Sequence, residues 1–421
     1  TLSTAPFQPA ELVSIAALAL ITLDADISCE TRSLPFLSPL LDGCCGMRVD
    51  GAGSLYGRVR LEKATLQPHS RLAVCAGRLS VDMLAHRAEG AGTLRIDVDP
   101  QTPEVATVSL VFDSLKAFPS ASHQALFHGE GLALSGKGPT TLAAIDGHPP
   151  TSSDLSVTIP SVRVPDLRVC QRYLPQHWPL RLHGGQGAMR ATVALSGATL
   201  TASLNLVSEN AHVGLKGYRF KSNLDVDVHA KRSSSMSAGI DLSGTRIGLA
   251  NANLSNQDQV DSRPWHASLT IEKGVIDLRL PDWKDNRGIG PWIRACEGRN
   301  VVAAVYTGEQ AIELTGSISD LQWLPLLLNN ADQLAVHGAG QMRAELYLAS
   351  GWPAAGSVLQ IQPSQLRVDV LDYAAEGDGH ITLAVERGGR NPDLNLVATL
   401  DDASLKRQNE ATAYIDKVRL R

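Results

Sequence analysis

The segment Gly51–Val98 returns as Gly338–Val385 without a single gap, with 15 of 48 residues identical. The shared residues include Gly51/Gly338, Gly53/Gly340, Leu61/Leu348, Leu79/Leu366, Asp82/Asp369, Gly90/Gly377 and Gly92/Gly379. Long-range self-similarity of this kind marks a repeat architecture, in which one unit cannot bury its apolar face alone and stacks on its neighbours. A weaker third copy begins at His183-Gly184. Its Met189-Arg190-Ala191 matches Met342-Arg343-Ala344, and a short gap sets Val213, Leu215 and Tyr218 opposite Val368, Val370 and Tyr373. A short apolar lead-in, read as a helical turn, precedes each copy: Pro35–Leu41, Asp166–Pro175 and Asp320–Leu328. The chain therefore divides into a segment 1–34, then repeat regions 35–165, 166–319 and 320–421, with an inserted helix near 283–296, all on one continuous sheet.

Inside each unit the apolar period is two, the period of a strand. Leu55, Val59 and Leu61 alternate with Tyr56, Arg58 and Arg60. Leu72 and Val74 follow, then Leu79, Val81 and Met83, then Leu94, Ile96 and Val98. The later copy has Met342, Leu346 and Leu348, then Leu359 and Ile361, then Leu366, Val368 and Val370, and finally Ile381, Leu383 and Val385. Turn residues punctuate the pattern at the spacing of an antiparallel meander with one aliphatic and one polar face. The 421 residues are 43% apolar, yet only six Trp, seven Tyr and six Phe occur among them, so the dry face is aliphatic. The fold class expected is mainly β: an elongated, curled antiparallel sheet with a few short helices. Twisted open sheets rarely exceed about ten strands. About thirty must curl, and at about 4.8 Å each they would form a trough on the order of 140 Å long. The paired glycines fit bulges where the sheet bends.

The G-x-G openings at Gly51 and Gly338, the short alternating strands and the second Gly-x-Gly before a closing strand resemble the AsmA-like superfamily of Gram-negative envelope proteins, which includes the TamB, YhdP and YdbH types. The resemblance covers about residues 35–421. It implies a taco-shaped sheet whose continuous apolar groove conveys phospholipid between inner and outer membranes. It further implies a periplasmic location, an inner-membrane anchor outside this sequence, and membrane proteins as partners at the two ends. The groove would be lined by the aliphatic positions of the two copies named above. Trp323, Leu324 and Leu327, with Trp283 and Trp292 of the insertion, are candidates for a plug or gate. An Asp at Val81 or Val368 should then abolish lipid occupancy and spare the strands. The alternation itself is equally compatible with a closed, ligand-free core, the structural or adhesive scaffold that stands as the alternative function.

Other chemistry finds little support. With 38 Lys+Arg against 43 Asp+Glu, no basic field suits a nucleic acid. Gly131–Lys137 imitates a phosphate loop, but Gly138 stands where Ser or Thr should bind magnesium, and the segment alternates like a strand, so no nucleotide is expected. The twelve His show no metal-ligand spacing; His183 and His337 recur before matching glycines as strand-end residues. Glu89 and Glu376 occupy one repeat position, which argues for a structural turn role. No nucleophile motif appears, and dispersed carboxylates with few aromatics rank a glycan-cleaving enzyme last. The protein is read as no enzyme, with no cofactor. The six cysteines form no CxxC and are expected to be small buried residues, although Cys44 or Cys45 could bridge to Cys29 or Cys75. The apolar stretch Leu12–Thr22 is too short to span a membrane, which needs about 20 residues. The sheet edge at Ala398–Arg421 could accept a strand from another chain.

Overall fold

The computed structural model describes residues 2–4, 21–38, 41–42, 46–120, 122–141, 154–174, 180–197, 199–215, 218–232, 239–254, 264–277, 309–327, 334–349, 352–389, 392–407 and 413–420. They form one antiparallel sheet of 27 strands. The first part holds β1 (Leu2–Thr4), β2 (Ile21–Thr31), β3 (Arg48–Glu62), β4 (Thr65–Leu66), β5 (Arg71–Met83), β6 (His86–Val98), β7 (Val105–Pro119), β8 (Phe127–Glu130), β9 (Leu132–Pro139) and β10 (Asp154–Val164). The middle holds β11 (Leu180–Gly184), β12 (Gly187–Ser196), β13 (Thr199–Leu215), β14 (Tyr218–Arg232), β15 (Gly239–Asp241), β16 (Arg246–Leu254), β17 (Trp265–Thr270) and β18 (Val275–Asp277). The last part holds β19 (Glu309–Ile318), β20 (Leu334–His337), β21 (Gly340–Ala349), β22 (Trp352–Pro353), β23 (Val358–Pro363), β24 (Leu366–Val370), β25 (Tyr373–Arg387), β26 (Asp393–Arg407) and β27 (Ala413–Leu420).

Strands pair with near neighbours in sequence, so the sheet is a meander, as the alternation predicts. Several rows are broken strands laid end to end: β11 and β12 both pair with β13, and β23 and β24 both pair with β25. Rows are therefore fewer than strands, and the sheet falls short of the length that about thirty unbroken strands would give. The two clear repeats share their register. Leu72 faces Ile96 and Leu79 faces Gly90 in β5–β6, while Leu359 faces Leu383 and Leu366 faces Gly377 at the matching positions.

The expected bulges are present where the glycines fall. Pairing of β3 with β5 shifts between Ala52 and Ser54, and that of β6 with β7 between Ala91 and Gly92. At Gly90 the reason is close approach: an added Cβ would overlap the Ser114 carbonyl of β7. Bulges bend a strand and raise its local twist, which curls the sheet over its aliphatic face.

The three lead-ins are short 3₁₀ turns: Pro35–Leu37, Leu167–Tyr173 and Leu324–Leu327. They send Leu37, Leu167 and Leu324 into the interior, where all three are buried. The interior comprises two apolar clusters. One runs from Leu34 to Ala252 and the other from Ile318 to Ala403. The first is tightly filled: Val108, Leu110, Leu94 and Phe112 are at most 1% exposed. Its far end is rolled shut. Leu66 of β4 donates its N–H to the Thr140 carbonyl at 3.0 Å, and Thr65 bridges Thr141, although β6 and β7 stand between β4 and β9 in the ladder.

The cysteines depart from expectation. Cys29 and Cys75 are exposed free thiols, and Cys170 is half-buried and free. Cys75 falls on the polar face because it follows inward-facing Val74, and Cys29 lies toward the end of β2, where cover thins. Cys44, Cys45 and Cys296 lie outside the described residues, as do Trp283, Trp292 and the helix expected near 283–296. No described helix is long and apolar enough to cross a membrane.

Candidate functional site: an apolar cavity at the seam of two cores

β19 pairs with β21 over ten residues, yet its register with β17 comes down to one pair, Leu269 with Ile318. This seam lies beside the junction of the two clusters, with Leu249 packed against the first and Leu269 against the second, and the junction is not filled. The result is an apolar cavity of about 340 Å³. Phe220 of β14, Ile247 and Leu249 of β16 and Leu269 of β17 form one wall. Leu314 and Ile318 of β19, Met342, Ala344 and Leu346 of β21 and Leu359 of β23 form the other. Leu180 and Ser268 also line it, so among the described residues the lining has one hydroxyl and no ionisable group.

Trp323 closes the seam and packs against both clusters. An Asx turn sets its approach: Asp320 Oδ1 accepts the Gln322 N–H at 3.0 Å, and the Trp323 indole N–H donates to the Asp320 carbonyl at 2.9 Å. The indole is thus satisfied at its polar end and leaves its apolar body to the cavity, the usual arrangement for a half-buried Trp. Leu321 and Leu324 on either side are fully buried and anchor the turn.

Strict alternation on β21 sorts its side chains. Met342, Ala344 and Leu346 face inward, whereas Arg343 and Glu345 face out and lie 3.2 Å apart. Arg343 also approaches Glu313 of β19 at 3.6 Å, and Lys273 approaches Glu313 at 3.1 Å. These cations hold the Glu313 carboxyl below its ordinary pKa, the Lys273 hydrogen bond foremost. Charge therefore stays on the polar side of the seam.

Such a cavity can take a hydrocarbon. Its volume falls in the range of about 300–1,000 Å³ typical of small-molecule pockets, and Ile247, 39% exposed, leaves it reachable from solvent. Compared with protein-family models, curated proteins and solved structures, the chain matches none.

Of the aliphatic positions singled out from the sequence, Met342, Leu346 and Leu359 line the cavity, with Trp323 against them. Leu55, Leu61, Val74, Leu79, Val81, Leu94, Ile96 and Val98 are packed in the first cluster, with Val59, Leu72 and Met83 half-buried against it. Ile361, Leu366, Val368, Ile381 and Leu383 belong to the second, with Val370 against it; Val385 is buried and Leu348 half-buried. Leu324 is buried, and Leu327 ends the same 3₁₀ turn. Phe220, Ile247, Leu249 and Leu314 line the cavity without having been singled out. The alternating runs traced in the sequence do not include them, and only the contacts of β14, β16 and β19 bring them to one opening. Gly131–Lys137 runs into β9, a strand, as its alternation indicated. Among the described residues no cluster of three or more His, Cys, Asp or Glu could hold a metal.

Proposed function

We propose that the protein is a non-enzymatic acyl-chain-binding protein that carries phospholipid along its apolar face. The observation that carries this reading is the 340 Å³ cavity beneath Trp323, with no ionisable lining among the described residues. Each methylene moved there from water gains about 0.8 kcal/mol, and a lining without specific polar contacts gives no preference for one position along the chain. The headgroup would stay at the lip of the sheet. Half-buried Leu348, beyond Leu346 on the same face of β21, extends the apolar path. An envelope location, with partners meeting the sheet at its ends, belongs to the same proposal. Among the described residues β1 pairs only with β2, and β27 only with β26, so each end offers a strand edge for addition.

The closed-scaffold reading has one observation in its favour, the filled and rolled-shut end of the first repeat. It predicts that nothing occupies the seam. Native mass spectrometry of the purified chain, followed by lipid extraction, separates the two. Co-purifying phospholipid that is lost on Ile247→Asp or Leu346→Asp supports the conduit. A lipid-free mass that persists after incubation with phospholipid vesicles sinks it. Val81→Asp and Val368→Asp are unsuitable for this purpose: both side chains are buried in filled cores, at 5% and 2% exposure, so an unpaired carboxylate there unfolds the chain.

A further inference from the structure

The three repeats place six outer-face positions in one arrangement across three adjacent rows. In the first repeat these are Arg48, Asp50, Ser80, Asp82, Arg87 and Glu89: two arginines against three carboxylates. The third has Ala335, His337, Arg367, Asp369, Ala374 and Glu376, one arginine against two carboxylates. Both sets are internally paired. Arg87 lies 2.9 Å from Asp82 and 3.8 Å from Glu89, while Arg367 lies 3.1 Å and His337 3.8 Å from Asp369.

The second repeat has Arg181, His183, His212, Gly214, Arg219 and Lys221 at these places. Gly214 replaces the shared aspartate, Lys221 replaces the shared glutamate, and no carboxylate remains. Arg181 of β11 and Arg219 of β14 lie opposite Gly214 of β13 on its two sides, and two residues along β13 His212 faces Lys221. Two arginines and a lysine thus gather on the outer face of this repeat, with no carboxylate at the six positions.

The same place is concave. A cleft of about 960 Å³ opens where the second lead-in leaves β10, lined by His183, His212 and Lys221 with Arg163 across it. Of its two carboxylates, Asp166 is held by Arg168 at 2.6 Å, and Glu209 sits in the β13 bulge. Gln186, Ser208 and Asn210 add neutral polar groups. Burial lowers the His183 pKa, as do Arg219, Arg181 and His212 beside it, so an anion there would relieve an existing strain of charge.

We propose that this cleft is a phosphate-binding site, in which Lys221 and Arg163 receive a phosphate oxyanion with His183 and His212 as further donors, and Arg219, beside His183, adds positive charge at its rim. Arginine and lysine are the side chains suited to that group, arginine through its two-pronged geometry. The phosphate is either free or carried on a lipid headgroup, and the site does not depend on the acyl-chain reading. The test uses the whole chain, with calorimetric titration of inorganic phosphate and flotation with phosphatidylglycerol vesicles against phosphatidylcholine vesicles. Binding of inorganic phosphate identifies a free-anion site; binding to phosphatidylglycerol vesicles alone identifies a headgroup site. The double variant Arg219→Ala/Lys221→Glu carries the residues of the third repeat and should keep the fold, checked by circular dichroism. It should weaken either binding at least tenfold, whereas Lys116→Glu, an exposed lysine on β7, should leave it unchanged. No binding of either probe, or equal loss in the Lys116 variant, overturns the proposal.

Discussion

Ser357 Oγ accepts the Tyr347 N–H at 2.9 Å and donates to the Tyr347 carbonyl at 3.0 Å, clamping the end of β21 from the loop that precedes β23. Ser70 does the same to Arg60 in the first repeat, both bonds at 3.0 Å. The serine carbonyl then accepts from the closing strand: Val385 N–H to Ser357 and Val98 N–H to Ser70, each at 2.9 Å. Thr245 plays the same part against His229, at 3.1 and 3.2 Å. All three hydroxyl residues are buried. Ser357→Ala and Ser70→Ala should each cost about 2 kcal/mol, because a backbone N–H and C=O are left unsatisfied together. Urea denaturation measures this, and a cost near zero at both sites contradicts the clamp.

Gly90→Ala should destabilise by about 1–3 kcal/mol, since the added methyl meets the Ser114 carbonyl and β6 can yield only by moving. Gly77 has open space around its missing Cβ and an ordinary φ, so Gly77→Ala should be neutral or slightly stabilising. Equal costs for the two, by thermal denaturation, would show that the bend does not depend on close approach.

The stability of the second repeat should fall as the solution is acidified from pH 7. Burial, with Arg219, Arg181 and His212, lowers the His183 pKa from its ordinary 6.5. The unfolded chain then binds a proton more readily than the folded one. Stability is lost as pH falls from 6.5 through the lower folded value and is complete above 6.5. Asp166, Glu209, Arg163, Arg168 and Lys221 are the other charged groups lining the cleft. His183→Gln should flatten the pH profile of the midpoint, and an unchanged slope contradicts the assignment.

Alkylation should discriminate between thiols. Burial and the nearby Asp166 charge push Cys170 up to about 11, so at pH 8 about one thiol in a thousand is ionised. The hydrogen bond from Tyr56, 3.3 Å away, with a second from Thr93, lowers the pKa of exposed Cys75. Iodoacetamide with peptide mass mapping should therefore find Cys75 modified long before Cys170. Equal rates would place Cys170 on the surface.

Much of this fold is legible in the residues. Leu79, Val81 and Met83 alternate because β5 has a dry and a wet side, and the gapless match of Leu79–Gly90 to Leu366–Gly377 foretells the shared register. The lead-ins read as apolar turns because Leu167 and Leu324 have nowhere else to go. Other features depend on contacts between distant strands. Nothing in Thr65 or Thr141 announces that the sheet rolls until they touch, and Ser70/Ser357 is one identity among many until the clamp is visible. The cavity is of the same kind: Leu346 and Leu383 look alike in the sequence, and only the one-pair seam between β17 and β19 separates the open site from the filled core. The Asp-to-Gly214 and Glu-to-Lys221 exchanges were within reach of the alignment, but their meaning needs all six positions on one face.

The most direct measurement is photocrosslinking of the full chain with a phospholipid bearing a diazirine on its acyl chain, with the labelled peptides mapped by mass spectrometry. Label should concentrate in the peptides holding Ile247–Leu249, Leu314–Trp323 and Met342–Leu346, and Ile247→Asp should remove it. Absence of label, or label spread over the polar face, would show that the seam holds no acyl chain and that the protein is a closed scaffold.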